Sequence, residues 1–191
     1  MSQLIFEYAV MNSGKTAKLL QMNYDYNRIG KKVFVMKPSI DTRDMNIIRS
    51  RNGLETRCHS FHHSENLRNV ILSQNEKYNV VLIDESQFLK ESQVEDLRQI
   101  VNEKNIIVIC FGLKSDFMGK LFEGSKRLLE LSDTINENNT FCHCGEKATM
   151  NMKYNSKTDK AIKYGEQIDC GAEDKYTSVC SKHWYEGNIG K

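Results

Sequence analysis

The sequence predicts an α/β fold, a parallel sheet covered by helices and carrying a phosphate loop (P-loop), with a small C-terminal cysteine-rich unit. Three observations carry that prediction. Short apolar runs alternate with helical periodicity through the first two thirds of the chain. Ala9-Val10-Met11-Asn12-Ser13-Gly14-Lys15-Thr16 stands between the first strand and the first helix. Past about residue 136 the long apolar runs stop, and cysteine, glycine and lysine rise.

The elements follow in order. Gln3 to Tyr8 reads as a short buried strand, and Ala17, Leu20 and Tyr24 give the next stretch a helical apolar face. Gly30 is placed to stop that helix. Val33 to Lys37 is the second strand, followed at once by Pro38, the only proline. Residues 38–60 are polar and carry the turn signal Asn52-Gly53. Glu65 to Gln74 reads as a helix. Val80 to Ile83 is a continuous apolar run, as a central parallel strand requires. Ser92-Gln93-Val94-Glu95 matches a capping box for a helix reaching about Asn102. Ile106 to Phe111 is the next buried strand. The expected division is a nucleotide-binding domain over 1–137 and a smaller domain over 138–191.

Composition narrows the function. The chain has 191 residues, 39% apolar and 27% charged, with a net charge of +2. That is a globular balance. The small positive excess argues against a protein that lives by gripping nucleic acid, so no nucleic-acid partner is expected. The N-terminus lacks the basic and apolar regions of a signal peptide. The longest apolar run, Ile106 to Phe111, is far too short to span a membrane. A cytoplasmic protein is expected, in which the six cysteines are thiols or metal ligands rather than disulfides.

The strand–loop–helix segment matches the second half of the phosphate-loop pattern, Gly-Lys-Ser/Thr. Its backbone N–H groups can wrap an anion. Gly14 permits the tight turn, Lys15 reaches the β- and γ-phosphates, and Thr16 offers a hydroxyl to Mg²⁺. The first position departs from the pattern, with Ala9 in place of glycine. Val80-Val81-Leu82-Ile83-Asp84-Glu85 is a strand ending in two carboxylates. Asp84 can hold Mg²⁺, and Glu85 can accept a proton from a nucleophile. That nucleophile could be water or a substrate hydroxyl, so the pair does not separate an ATPase from a kinase.

Cys142-His143-Cys144 and Cys180-Ser181-Lys182-His183 form two knuckles that suit one tetrahedral Zn²⁺. Cys142, Cys144, Cys180 and His183 are the expected ligands, with His143 a possible substitute. Four protein ligands leave no open position, so the role is structural. Cys110 reads as core, and His59, His62 and His63 as solvated or structural.

Taken together these residues resemble the zinc-ribbon thymidine kinases. The resemblance covers nearly the whole chain. It rests on Met11 to Thr16, Lys37-Pro38 with Asp41-Thr42-Arg43, and Asp84-Glu85-Ser86-Gln87-Phe88. It continues through Gly112-Leu113-Lys114-Ser115-Asp116-Phe117, Gly119-Lys120-Leu121-Phe122, Cys142 to Cys144, and Tyr176-Thr177-Ser178-Val179-Cys180. Ala9-Val10 and the Cys-x-Cys knuckle look like the branch found in enterobacteria and their phages.

The resemblance implies a RecA-like sheet, a zinc ribbon, and transfer of the γ-phosphate of ATP to the 5′-hydroxyl of thymidine. It implies an ATP site over Ala9 to Thr16 and Asp84 to Gln87. Glu85 would be the catalytic base. Phe88 would pack on thymine, with Met11, Leu113 and Phe117 around the base. Arg43, and with it Asp41, would stand near the reacting phosphate. A lasso from about Met150 to Tyr176 would close over the nucleoside, its main chain at Ile168, Asp169, Cys170 and Gly171 bonding the base beside Tyr176. The family's lasso threonine corresponds to Asn151. The resemblance further implies a homotetramer inhibited by dTTP. Two other readings fit the motifs: a phosphate-loop ATPase or DNA-handling motor with a zinc ribbon, and a zinc-ribbon binding module with a vestigial nucleotide site.

Overall fold

The computed structural model describes residues 2–41, 46–167 and 174–190. Strand β1 (Leu4–Ala9), helix α1 (Lys15–Arg28) and strand β2 (Val33–Pro38) follow the expected order. The polar stretch after Pro38 then holds three strands that periodicity did not announce. β3 (Ile47–Arg49) and β4 (Glu55–Arg57) pair antiparallel as a hairpin, and β5 (His59–Phe61) pairs with β2. Helix α2 (Leu67–Leu72) is shorter than expected, and strand β6 (Val80–Ile83) lies where it was expected. A 3₁₀ turn (Ser86–Phe88), α3 (Glu91–Lys104), β7 (Ile107–Leu113), α4 (Glu123–Leu131) and β8 (Thr134–Glu137) complete the first part. The C-terminal part holds β9 (Met150–Asn155), β10 (Ala161–Ile162), β11 (Asp174–Val179) and α5 (Ser181–Glu186).

Six strands form the central sheet in the order β5-β2-β6-β7-β1-β8, every neighbouring pair parallel. Alternation along each strand sends side chains to opposite faces. Leu4 and Phe6 of β1 join one buried cluster with residues of α2, α3 and α4, including Leu67, Leu97 and Leu128. Leu82, Ile109 and Phe111 face the other side, where Leu19 and Leu20 of α1 and Ile48 of β3 cover them. Both faces are therefore buried, which is why β6 reads as a continuous apolar run.

Two details correct the sequence reading. The buried face of α1 centres on Leu19 and Leu20, while Tyr24 is 62% exposed. Helix α3 begins at Glu91, one turn position before the expected cap. Gln93 reaches back to the Lys90 N–H at 3.2 Å, so Ser92 lies inside the helix. Lysine offers no acceptor oxygen, and a search for Ser, Thr, Asp or Asn caps passes over it.

A second sheet, β10-β9-β11, is antiparallel throughout. Its own small core of Cys142, Ala148, Met152 and Val179 includes Val10 from the phosphate loop. Asn151, buried near the start of β9, accepts the Met11 N–H at 2.8 Å and donates to the Ser115 carbonyl at 2.8 Å. The Ser178 hydroxyl of β11 donates to the Met11 carbonyl. Trp184 of α5 donates to the Phe117 carbonyl at 2.9 Å.

One backbone approach decides a residue identity. A Cβ on Gly112 of β7 would stand 2.6 Å from the Ser86 hydroxyl and 3.0 Å from the Gln87 N–H. Gly112→Ala should therefore displace the 3₁₀ turn and destabilise the fold by roughly 1–3 kcal/mol, read as a drop in thermal midpoint. An unchanged midpoint would mean that the turn has room to move.

Candidate active site

The phosphate loop connects the C-terminal end of β1 to the N-terminus of α1, where unsatisfied backbone N–H groups and the helix dipole favour an anion. Two residues take positive φ to make the turn, Asn12 (59°) and Gly14 (77°). Asparagine and glycine tolerate that region best. The loop and the first turn of α1, Met11 to Ala17, line one side of a cavity of about 710 Å³. Glu85, Leu113, Tyr154, Lys175 and Tyr176 line other parts of it.

The charged groups are arranged around this cavity. The Lys15 ammonium folds back on its own loop, donating to the Val10 carbonyl at 2.9 Å and the Ser13 hydroxyl at 3.4 Å. Burial lowers its pKa; the Glu85 and Asp84 charges oppose that shift and the Arg51 charge reinforces it. The Thr16 hydroxyl donates to Asp84 at 3.1 Å. Burial, and then the Glu85 charge, push Asp84 up to about 7, against hydrogen bonds from the Glu85 N–H and Thr16. Thr16 and Asp84 thus present hard oxygen donors side by side, the donor set that suits Mg²⁺.

Glu85 follows at the end of β6 with φ 51°, the left-handed region that non-glycine residues seldom occupy. That conformation turns the chain sharply into the 3₁₀ turn. The Gln87 amide donates to the Glu85 carboxylate at 2.6 Å, and its carbonyl accepts the Leu113 N–H at 3.0 Å. Gln87 also lines a second cavity of about 510 Å³. Phe61, Phe88 and Phe122 give that cavity aromatic walls, with Pro38, Ile40 and Gln167 around them, and Phe88 meets Phe122 edge-on at 5.9 Å. The Glu85–Gln87 pair therefore stands between a phosphate-loop cavity and an aromatic one.

Not every expected site residue faces these cavities. Ala9 and Val10 are buried, Val10 against the C-terminal core, and Ser86 is buried under Gly112. Met11, Leu113 and Tyr176 line the phosphate cavity, and Phe88 lines the aromatic one. Phe117 is buried behind them, edge-on to Tyr176 at 6.3 Å, with the buried Lys153 ammonium 5.3 Å from its ring centre. Arg43, Ile168, Asp169, Cys170 and Gly171 lie outside the described residues. Asp41 pairs with the buried Lys37 at 3.4 Å. Asn151, the counterpart of the family's lasso threonine, engages both its amide atoms with the backbone of Met11 and Ser115.

The expected metal ligands converge. One ligand atom each from Cys142, Cys144, Cys180 and His183 falls within 4.8 Å of the others. His183 turns Nδ1 toward the sulfurs, 3.3 Å from Cys142 Sγ and 3.4 Å from Cys180 Sγ. Burial would raise the Cys142 thiol, but hydrogen bonds from the Cys144 backbone, the His183 side chain and the Cys180 backbone bring it down to about 6. His143 stacks on His183 with ring centres 4.3 Å apart and is not one of the four. The cluster has the donor set and the spacing that suit a metal ion.

The sequence model of the family described as "Thymidine kinase" matches residues 2–184. The thymidine kinase of Vibrio cholerae serotype O1 is 41% identical over 189 residues, covering 97% of this chain and 98% of that protein. The thymidine kinase of Streptococcus pyogenes serotype M1 is 41% identical over 191 residues, covering 99% and 100%. That of Rhodopirellula baltica is 40% identical over 189 residues, covering 97% and 89%.

The Asp84 environment sets a pH dependence. An acid whose pKa rises from 3.8 to about 7 on folding binds its proton more tightly in the fold. Its contribution to stability is intact below about pH 4 and is lost as pH rises through about 7. In metal-free protein, Asp84→Asn should remove that loss. The variant's unfolding free energy should gain on the parent between pH 5 and pH 8 by a few kcal/mol, on the order of one to three. Parallel pH–stability curves for the two proteins would show that Asp84 is not strained in this way.

Proposed function

The chain belongs to the thymidine kinase family, and on that premise we infer that it transfers the γ-phosphoryl group of ATP to the 5′-hydroxyl of thymidine, giving dTMP and ADP. The observation that carries this reading is the place of Glu85. Its carboxylate lines the phosphate cavity and is held by Gln87, which lines the aromatic cavity. A donor nucleotide on the loop and a nucleoside across the boundary would meet at that carboxylate.

Glu85 accepts the 5′-hydroxyl proton as that oxygen attacks phosphorus. Phosphoryl transfer otherwise asks for position and charge neutralisation. The loop backbone from Met11 to Thr16 holds the phosphates, and Lys15 leaves its internal acceptors for their oxygens. Thr16 and Asp84 would hold Mg²⁺, which when bound offsets the charge of the β- and γ-phosphates. We assign the base to the wall formed by Phe88, Phe117, Met11, Leu113 and Tyr176, with main-chain contacts from residues 168–171 and with Arg43 near the reacting phosphate. Support for that wall is that Met11, Leu113 and Tyr176 line the phosphate cavity, Phe88 lines the aromatic one, and Phe117 meets Tyr176 edge-on from behind. Water exclusion by the segment between β9 and β11 favours transfer to the sugar over hydrolysis.

We assign Zn²⁺ to the Cys142, Cys144, Cys180 and His183 site, in a structural role. Three sulfurs and one imidazole nitrogen are the donor set that ion prefers. A division into domains at residues 137 and 138 is supported by the end of β8 at Glu137 and by the separate core of the C-terminal sheet. A homotetramer and inhibition by dTTP are carried by the resemblance alone, and a cytoplasmic place by the sequence reading. Among the described residues no helix is long and apolar enough to cross a membrane.

The direct test follows ADP release from Mg-ATP with each nucleoside in turn. Thymidine-dependent turnover yielding dTMP is expected, with little from deoxycytidine or purine nucleosides. Hydrolysis indifferent to nucleosides but raised by DNA or RNA would replace the kinase with an ATPase. Glu85→Gln should keep ATP and thymidine binding and lose turnover by roughly 10²-fold or more; near-normal turnover would remove Glu85 as the base. For the metal, elemental analysis should find about one zinc per chain. Cys180→Ser should lose it and lower the thermal midpoint, whereas a variant that keeps both would place the metal elsewhere.

A further inference from the structure

The β3–β4 hairpin forms a wall of the phosphate cavity that no motif in the sequence marks. Its tip is a closed turn. The Ser50 N–H donates to the Leu54 carbonyl at 2.8 Å, the Ser50 hydroxyl donates to the same oxygen at 3.0 Å, and the Gly53 N–H donates to the Ser50 carbonyl at 3.1 Å. Ser50 is buried, and Ile48 of β3 is locked into the core beneath α1. Asn23 of α1 donates to Thr56 of β4 at 3.3 Å. The tip is therefore fixed relative to the helix that the phosphate loop begins. Arg49, Ser50, Arg51 and Asn52 of the tip line the same cavity as Lys15 and Thr16.

The two arginines differ. Arg49 pairs with Glu55 across the hairpin at 2.9 Å. Arg51 is exposed and makes no hydrogen bond or ion pair with the described residues. Its charge is close enough to Lys15 to destabilise the ammonium there. Two cations facing one cavity repel each other until an anion lies between them. A guanidinium presents a planar fork of donors that matches phosphate oxygens.

We propose that Arg51, carried on the β3–β4 hairpin, is a phosphate-binding residue for the nucleotide seated on the phosphate loop. It acts beside Lys15, from the open side of the cavity, in the same chain. This assignment rests on the reading of the loop as an ATP site.

The test is titration calorimetry of Mg-ATP without nucleoside, on the parent, Arg51→Gln and Arg51→Lys, with Arg68→Gln of α2 as a charge-matched control. Arg68 pairs with Glu103 on the surface. Arg51→Gln should bind Mg-ATP about 10-fold more weakly or worse, since charged hydrogen bonds of this kind are each worth about one order of magnitude. Arg51→Lys should recover part of the loss, and Arg68→Gln should match the parent. In turnover assays KM for ATP should rise for Arg51→Gln while KM for thymidine stays. Arg51→Gln binding Mg-ATP within about twofold of the parent would overturn the proposal, as would an equal loss in Arg68→Gln. A parent that binds Mg-ATP but phosphorylates no nucleoside would sink the kinase reading and leave the Arg51 assignment to stand or fall on calorimetry.

Discussion

The position of the phosphate loop depends on the two backbone polar groups of Met11. Its N–H is taken by Asn151 and its carbonyl by Ser178, so the C-terminal sheet holds the loop from outside at its midpoint. A phosphate loop needs several backbone N–H groups aimed at one point, and a loop free to flatten would lose that aim. Here Ala9 and Val10 begin the loop where glycine is usual, and Val10 is sunk in the C-terminal core. The loop's entry is therefore set by packing and its midpoint by two side chains more than a hundred residues away in sequence. Asn151 uses its other amide atom on Ser115, which ties the strand end after β7 to the same point.

The turn after β6 is under a comparable constraint. Glu85 occupies a left-handed conformation, Gly112 leaves no room for a methyl group beneath the turn, and Gln87 is bonded on both sides. Strain of this kind costs of order 1–3 kcal/mol and persists only where the surroundings over-determine it. The result is a carboxylate that accepts from Gln87, which is itself fixed by the Leu113 N–H.

What the sequence could tell follows from range. Lys15 with Thr16, and Asp84 with Glu85, are adjacent in the chain, and strand and helix signals around them set their direction. The metal ligands sit in two short knuckles that local turns nearly complete. The core strands β6 and β7 announce themselves because burial on both faces removes every polar side chain. The hairpin did not, because its strands are three residues long and the burial of β3 rests on Ile48. Periodicity has nothing to count there, and Arg51 went unnoticed with it. The contacts of Asn151 could not be read from the sequence. Its partners are main-chain atoms of Met11 and Ser115, and nothing in a string of letters records which backbone groups the fold leaves for a side chain to satisfy. Tyr24 misled because a helix's apolar face was read from spacing alone, and the sheet it covers is satisfied by Leu19 and Leu20.

Strand β11 ends with Ser178, which holds Met11, and Val179, and Cys180 of the cysteine–histidine cluster follows at once. Helix α5 carries His183 and, beside it, Trp184, which holds the Phe117 carbonyl in the wall near Tyr176. The four clustered side chains thus lie one or two residues from the groups that hold Met11 and the Phe117 carbonyl. The buried clusters of the central sheet contain none of the four side chains, so disturbing the cysteine–histidine cluster would first loosen the contacts at Met11 and Phe117 and leave the sheet's own packing untouched.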